Sequence, residues 1–478
     1  MSSPASLRRQ IVIKFAIFTS GIFLTFAGYL VLLGLQSSIN IEDGVGNASV
    51  TATYVTASLF GVTLTPLILK RFGKKACVLF CEFTYLVYIL VNYYPESYTL
   101  IPAGVIVGMG EATMWPAMML FVVHYARRFA RHGTKSTERY TTEFIGLFYC
   151  AFQFSGVFGN LINYAILYGG SSNASSDTSA RELSYCGIND CQVPNITAQY
   201  LNQYVPASQT LLYIMIGVMA GLVLLAMLTH STLVRDIDHS LEVEDKGNEN
   251  PPDDDVSNHD DGAWQFITRT VMGTLLHLIN PKQLLITPFA LYSGFFMAFG
   301  FTEVSRAFGS CMLGVEQVGL MLAITGAADS LMSFVSGRIS GRFGRNFTFI
   351  VGFVLDISNY MICLFWVPSQ SSLWVVYIIF AMVGLIDGVW QPLVNEMHGA
   401  YFPENEEVAF TVWNMYTLVG IAWQTGWSSS LCVSTKIYVQ IGFLCFSMIC
   451  HRVSVWIYYR KSPKYDELNV VENKGTAF

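Results

Sequence analysis

Asp387, Gln391 and Asn395 recur at four-residue spacing inside one long apolar stretch, which puts all three on one face of a helix. Glu111 stands in a second such stretch, and Asp329, Asp356 and Glu82 stand singly in three more. Gln153 and Gln424 lie in two others. An ionisable group within a membrane-spanning helix costs roughly 2.5–3.5 kcal/mol on insertion scales, so each such residue needs a reason. The chemistry open to Glu111 and Asp387 is proton- or solute-linked: an acid lining a central cavity, with Gln391, Asn395, Gln153 and Gln424 as polar partners. The plainer reading, which also serves Asp329, Asp356 and Glu82, is a hydrogen bond between packed helices.

No nucleotide-binding loop, metal-ligand cluster or nucleophile triad occurs at usable spacing. The expectation is therefore a protein that is not an enzyme, with no cofactor, no metal and no nucleic-acid partner.

The elements that position these groups follow from composition. The chain is 53% hydrophobic and 13% charged, where soluble domains carry roughly 25% charged residues. A surface so poor in charge belongs in a bilayer. Its spans must be helices, because lipid offers no partners for unpaired backbone groups. About twelve apolar runs of spanning length are predicted near 11–34, 50–69, 76–94, 99–126, 141–168 and 210–230, then near 283–302, 315–337, 347–366, 371–398, 408–430 and 433–457. Arg8 and Arg9 precede the first run, which is too long for a signal-peptide core and reads as a retained span.

Lys and Arg set the orientation. With both termini cytosolic, the inner segments hold 24 of the 27 basic residues, and only Arg181, Arg306 and Lys436 fall on the other side. Residues 236–261 carry 11 acidic side chains and one Lys, which marks a solvated linker between halves. The expected organisation is a six-helix half over 1–235, a cytosolic linker over 236–281, a second six-helix half over 282–459 and a cytosolic tail over 460–478.

An outer loop near 169–209 is rich in Ser and Asn. It holds two sequons, at Asn173 and Asn195, and a third at Asn47 lies in the first outer loop. All three fall on the outer side by the charge argument, so all three are expected to be glycosylated. Cys186 and Cys191, five apart in the long loop, are expected to bridge, with Cys311 and Cys432 as a second pair. The other six cysteines lie within spans as packing residues.

An internal duplication is legible. Arg71-Phe72-Gly73-Lys74 and Arg342-Phe343-Gly344-Arg345 are 271 positions apart. Gln153 and Gln424 are also 271 apart, while Glu111 to Asp387 and Pro116 to Pro392 are each 276. Parallel repeats of six spans, related by an axis along the membrane normal, are the arrangement of the major facilitator fold. Facilitator transporters carry an acid beside such basic turns, which latches helix ends. Here Lys70 and Gly341 take its place. Gly104-x-x-x-Gly108 and Gly217-x-x-x-Gly221 are expected to admit close helix contact.

Several stretches together resemble the unc-93 family: Gly34-Leu-Gln-Ser-Ser38, Tyr98-Thr-Leu-Ile-Pro102 through Trp115, Gln153-Phe-Ser-Gly-Val-Phe-Gly-Asn-Leu161, Cys186-Gly-Ile-Asn-Asp-Cys191 and Asp387-Gly-Val-Trp-Gln391. The resemblance runs from the first span to the last. It implies a facilitator-like fold serving other membrane proteins, as a regulator of two-pore potassium channels or an escort for receptors, with no catalytic residue to carry over. The expected protein is a plasma-membrane accessory subunit. The alternative is a secondary transporter of a small solute, coupled to protons through Asp387 or Glu111. An escort role would suit Tyr465-Asp-Glu-Leu468, a sorting-type pattern in the tail.

Overall fold

The computed structural model describes residues 4–134, 137–171, 183–191, 208–235, 272–273, 276–402 and 406–459. The regular elements among them are all helical. The first half is built from α1 (Pro4–Ile39), α2 (Val45–Thr63), α3 (Thr65–Phe72), α4 (Lys74–Val91), α5 (Ser97–Ala130), α6 (Thr137–Ser171) and α7 (Gln209–Leu233). The second is built from α8 (Pro281–Phe299), α9 (Val315–Phe343), α10 (Arg345–Phe365), α11 (Val375–Tyr401), α12 (Glu406–Gly426) and α13 (Val433–Ser454). Helices α2 and α3 are one span interrupted at Leu64, just before Pro66, whose ring removes a backbone donor. Each half therefore has six spans. Most of the 236–281 linker, the 460–478 tail and much of the outer loop, including Asn173 and Asn195, lie outside the described residues.

The duplication is repeated in three dimensions, bond by bond. Gly73 (φ 84°, ψ 163°) and Gly344 (φ 83°, ψ 156°) adopt the same left-handed conformation where the second span turns into the third. Only glycine takes that conformation without strain, which is why the basic turns keep it in both halves. Thr53 Oγ1 donates to the Gly104 carbonyl at 3.0 Å, and Thr325 Oγ1 donates to the Phe380 carbonyl at 2.9 Å. Thr65 Oγ1 meets the Ala112 carbonyl at 3.0 Å, and Ser336 Oγ meets the Gly388 carbonyl at 2.9 Å. The matched donors and acceptors keep the 271–272 and 276 offsets of the sequence repeat.

Small residues allow these approaches. A Cβ on Gly108 would sit 2.3 Å from the Thr53 carbonyl oxygen, and one on Gly384 would sit 2.1 Å from that of Thr325. Gly104 presses likewise against Ser49 of α2. The expectation for Gly217 and Gly221 is corrected: Gly217 faces only the Tyr93 hydroxyl, and nothing lies within 4 Å of a Cβ on Gly221. The glycine stripe there runs past the neighbouring helix rather than against it.

The halves meet where α2 packs on α12 and α6 packs on α9, and α1 lies along the extension of α8. That extension is an eleven-residue π-helical segment, Gly300–Ser310, followed by a short turn at Cys311–Leu313. It carries the seventh span well beyond the expected boundary at 302. Cross-half bonds cluster on the face opposite the basic turns: Ser37 Oγ to the Thr302 carbonyl (2.9 Å), Ser38 Oγ with Ser310 Oγ (2.7 Å), Asn47 Nδ2 to Ser428 Oγ (3.0 Å) and Thr51 Oγ1 to Thr425 Oγ1 (2.8 Å).

Replacing Gly384 with Ala should force α9 and α11 apart and lower the Tm by several degrees in detergent, the overpacking cost being about 1–3 kcal/mol. Gly442→Ala, where nothing lies within 4 Å, should leave the Tm within about a degree, since open surface positions shift stability by roughly 0.5 kcal/mol or less.

Candidate functional site

Three constellations of buried polar groups bear on function, one on the face opposite the basic turns and two within the span layer. The first was not anticipated. Glu303 and Arg306, three apart on the π-helical segment, are both fully buried, and Arg306 Nη2 donates to Glu303 Oε2 at 2.6 Å. Arg306 Nε pairs with Asp190 Oδ2 at 3.0 Å, and Lys436 Nζ pairs with Glu303 Oε1 at 2.8 Å. Ser428 Oγ accepts from Arg306 Nη1 at 3.2 Å and donates to Glu303 Oε1 at 2.6 Å, while Lys436 Nζ also reaches the Ser428 carbonyl at 2.6 Å. Two acids and two bases cancel, and Arg306, Glu303 and Lys436 each have several partners. A buried ion cluster needs this to offset its desolvation.

Two disulfides frame the cluster, and they correct the expected pairing. Cys186 bridges to Cys311 and Cys191 bridges to Cys432. The tight 3-10 turn at Gly187–Asn189 separates the two loop cysteines, so each meets a partner from the second half. Sequence proximity favoured a local bridge. What decides the pairing is that Val433 N donates to the Asp190 carbonyl at 3.0 Å, seating the loop at the start of α13. A loop belonging to the first half is thus bonded covalently to the second. Arg306 and Lys436 were visible in the sequence as the exceptions to the charge asymmetry, and that was the one signal for the cluster.

The second constellation is at the interface of α6, α9 and α11. Gln153 Nε2 donates across the halves to Asp329 Oδ2 at 2.9 Å, and Ser333 Oγ donates to Asp329 Oδ1 at 3.1 Å. Asp387 lies near Asp329, with Gln391 beside it. The Asn395 side chain lies outside the described residues. The sequence paired Gln153 with Gln424, but the structure separates their roles. Gln424 Oε1 accepts from Trp427 Nε1 at 2.8 Å and from Gln440 Nε2 at 3.3 Å, all within the second half.

The third surrounds Glu111. Tyr85 donates to Glu111 Oε1 at 3.1 Å, and Glu111 Oε2, buried, has no hydrogen-bond partner. Glu111 and Asp387 occupy repeated positions, yet their bonds stay in separate halves.

The remaining acids hold helices together. Glu82 accepts from Thr25 Oγ1 at 2.7 Å and pairs with His230 Nδ1 at 2.6 Å. Asp356 accepts from Trp390 Nε1 at 2.9 Å and from the Tyr292 hydroxyl. At the basic turns, Lys75 Nζ reaches the Ser231 carbonyl at the end of α7 at 2.8 Å, Arg71 is exposed, and Lys74 is buried. Arg345 is half-buried, and the side chain of Arg342 lies outside the described residues. Asn47 corrects another expectation. It is 4% exposed and its amide nitrogen is bonded to Ser428, so that sequon is not presented as a glycan acceptor in this fold.

The Major Facilitator Superfamily model matches residues 13–425. Solved structures agree in fold at 10–12% identity: the nucleoside transporter NupG (TM-score 0.59, covering 94% of this chain and all of that one) and a D-xylose–proton symporter (TM-score 0.54, 93% and 96%). Among curated proteins, unc-93 homolog A of Bos taurus is 30% identical over 96% of this chain and 95% of its own, and that of Xenopus laevis is 27% identical over 95% of each. This chain belongs to the unc-93 homolog A branch of the major facilitator superfamily. It is also similar to unc-93 of Caenorhabditis elegans, whose name proposes it as a potassium channel regulatory protein, at 24% identity over 94% of this chain and 63% of the other. The branch motif Gly34-Leu-Gln-Ser-Ser38 now has a physical reading, since Ser37 and Ser38 both bond across the halves.

Peptide mapping under non-reducing conditions should recover Cys186 linked to Cys311 and Cys191 linked to Cys432, with no Cys186–Cys191 peptide. Arg306→Gln strands Asp190 and Glu303 without a shared cation. It should lower stability by about 3–5 kcal/mol, the cost of breaking a buried ion pair from one side, read as a large fall in the Tm of the purified protein.

Proposed function

We propose that this protein is a multipass accessory subunit that regulates or traffics a partner membrane protein, with a two-pore potassium channel as the first candidate. The observation that carries this reading is the end-to-end similarity to unc-93 proteins, one of them named for potassium channel regulation. The hydrogen bonds that join the two halves on one face support it. An alternating-access cycle has to open that face, and here opening would act against four cross-half bonds. The substitution of Lys70 and Gly341 at the latch position points the same way.

In this reading both termini are cytosolic and the protein works at the plasma membrane. The halves 1–235 and 282–459 form the membrane body, the acidic 236–281 linker tethers them and 460–478 is a free tail. The basic turns at Arg71, Gly73, Lys74, Arg342, Gly344 and Arg345 face the cytosol, and the loop glycans sit on Asn173 and Asn195. A second reading, secondary transport of a small solute, is favoured by Gln153, Asp329, Asp387 and Gln391 at the interface of the halves, with Gln424, Asn395 and Glu111 as further polar groups. In that case Asp387→Asn or Glu111→Gln alters uptake into liposomes.

Co-expression with two-pore potassium channels should change whole-cell current or surface delivery by a measurable factor. Unchanged current and unchanged surface channel would sink the accessory reading. Endoglycosidase digestion should shift the wild-type protein and Asn47→Gln equally, while the Asn173→Gln/Asn195→Gln double variant should show no shift.

A further inference from the structure

On the face of the basic turns, several arginines rest on aromatic rings instead of acids. Arg71 is exposed, with its guanidinium carbon 6.0 Å from the Phe72 ring centroid. Arg338, one turn before Arg342, is exposed as well, 3.5 Å from the Phe334 centroid, and its Nη1 donates to the Phe334 carbonyl at 3.4 Å. Arg8 stands 5.7 Å from the Phe129 centroid. Among the described residues none of these three forms an ion pair. The turns supply no acid of their own, since neither 68–76 nor 338–346 contains Asp or Glu. A ring against one face of a guanidinium leaves the in-plane N–H donors open to a carboxylate.

The chain delivers carboxylates to this place. Helix α7 ends at Leu233, and Lys75 Nζ joins its last turn to the first basic turn through the Ser231 carbonyl at 2.8 Å. Asp236 and Asp238 follow within seven residues of Ser231, a reach of at most about 25 Å. They open the 236–261 segment, whose 11 acids and one Lys supply −10 to a chain of net charge −6, leaving +4 on the remainder. The chain is anchored again beyond the segment, on the same face. His277 packs on Phe402 with ring centroids 4.4 Å apart, and Asn280 caps α8 by accepting from Lys282 N at 3.0 Å.

We propose that the acidic segment 236–261 docks on the basic-turn face of its own chain, its carboxylates pairing first with the Arg71 guanidinium. Covalent attachment beside Lys75 favours this occupant over anionic lipid. It holds the carboxylates at a local concentration on the order of millimolar whatever the surrounding bilayer, so individually weak exposed pairs act together. The segment is then an internal counterion, and an acidic partner has to displace it to reach the face. This role is separate from the accessory function and does not depend on it.

The test is Glu-specific proteolysis of the full-length protein in phosphatidylcholine nanodiscs. The segment offers cleavage sites at Glu242, Glu244 and Glu249, and Glu467 and Glu472 in the tail give a reference within the same molecule. At low salt the segment should be cut several-fold more slowly than the tail. The difference should narrow at about 0.5 M salt, where exposed charges are screened. Arg71→Gln should speed cleavage in the segment about two- to fivefold, the range for losing one exposed ion pair, with no change in the tail. Arg71→Lys should keep most of the protection. Asp253→Asn/Asp254→Asn/Asp255→Asn, which retains every Glu site, should also speed cleavage in the segment. Because Arg71 is exposed, its variants should keep the wild-type Tm. Equal cleavage of segment and tail in wild type overturns the docking and leaves a solvated tether. Protection that neither salt nor Arg71→Gln relieves overturns it too. So does protection lost when phosphatidylserine is added to the nanodiscs, which assigns the face to lipid headgroups.

Discussion

The fold turns on a guanidinium that cannot reach water. Arg306 lies on the seventh span with its side chain fully buried, and an arginine in that setting cannot shed its proton to escape the cost. It must be surrounded by acceptors held at bonding distance. Glu303 is supplied from its own segment, where the π-helical winding carries both residues. Asp190 comes from the outer loop of the first half, and Ser428 from the turn after α12. Lys436 then balances the second acid from α13. Satisfying one cation thus recruits four separate parts of the chain.

The rest of that face follows from this demand. Asp190 is placed by a turn whose two flanking cysteines are both bonded to the second half, at Cys311 and Cys432. Ser428, drawn into the cluster, accepts from Asn47 at the start of α2. Asn47 therefore serves helix contact rather than glycan attachment. The result is a closed, neutral and covalently framed surface joining both halves, while at the basic turns on the other face Lys75 reaches the Ser231 carbonyl within the first half.

Within the span layer a different constraint governs. Backbones approach until only glycine fits, and threonine or serine hydroxyls reach across to carbonyls, as in Thr53 to Gly104 and Thr325 to Phe380. These contacts are identical in kind in the two halves, because both descend from one repeated pattern. The acids are where the halves diverge. Asp329 is tied to Gln153 across the interface, Asp356 is held by Trp390, and Glu111 accepts from Tyr85 within the first half. A duplicated frame carries unequal polar chemistry.

Much of this was legible in the residues alone. Composition and run length fix a helical membrane protein, because a bilayer permits little else. The recurring offsets fix two repeats, since a turn that needs Gly73 needs Gly344 for the same steric reason. Glu111, Asp387 and Gln153 could be singled out because charge and amide groups in apolar runs are costly wherever they fall. Partners were another matter. Which cysteine meets which depends on a turn that divides Cys186 from Cys191, and sequence spacing favoured the wrong pair. Gln153 and Gln424 look equivalent by offset, yet only Gln153 meets an acid. The cluster at Arg306 left no motif, only two basic residues on the unexpected side of the membrane. Spacing along a chain specifies which groups share a helix face, whereas the pairing of faces 116 residues apart, as for Asp190 and Arg306, is set by how twelve spans pack and was decided by tertiary structure alone.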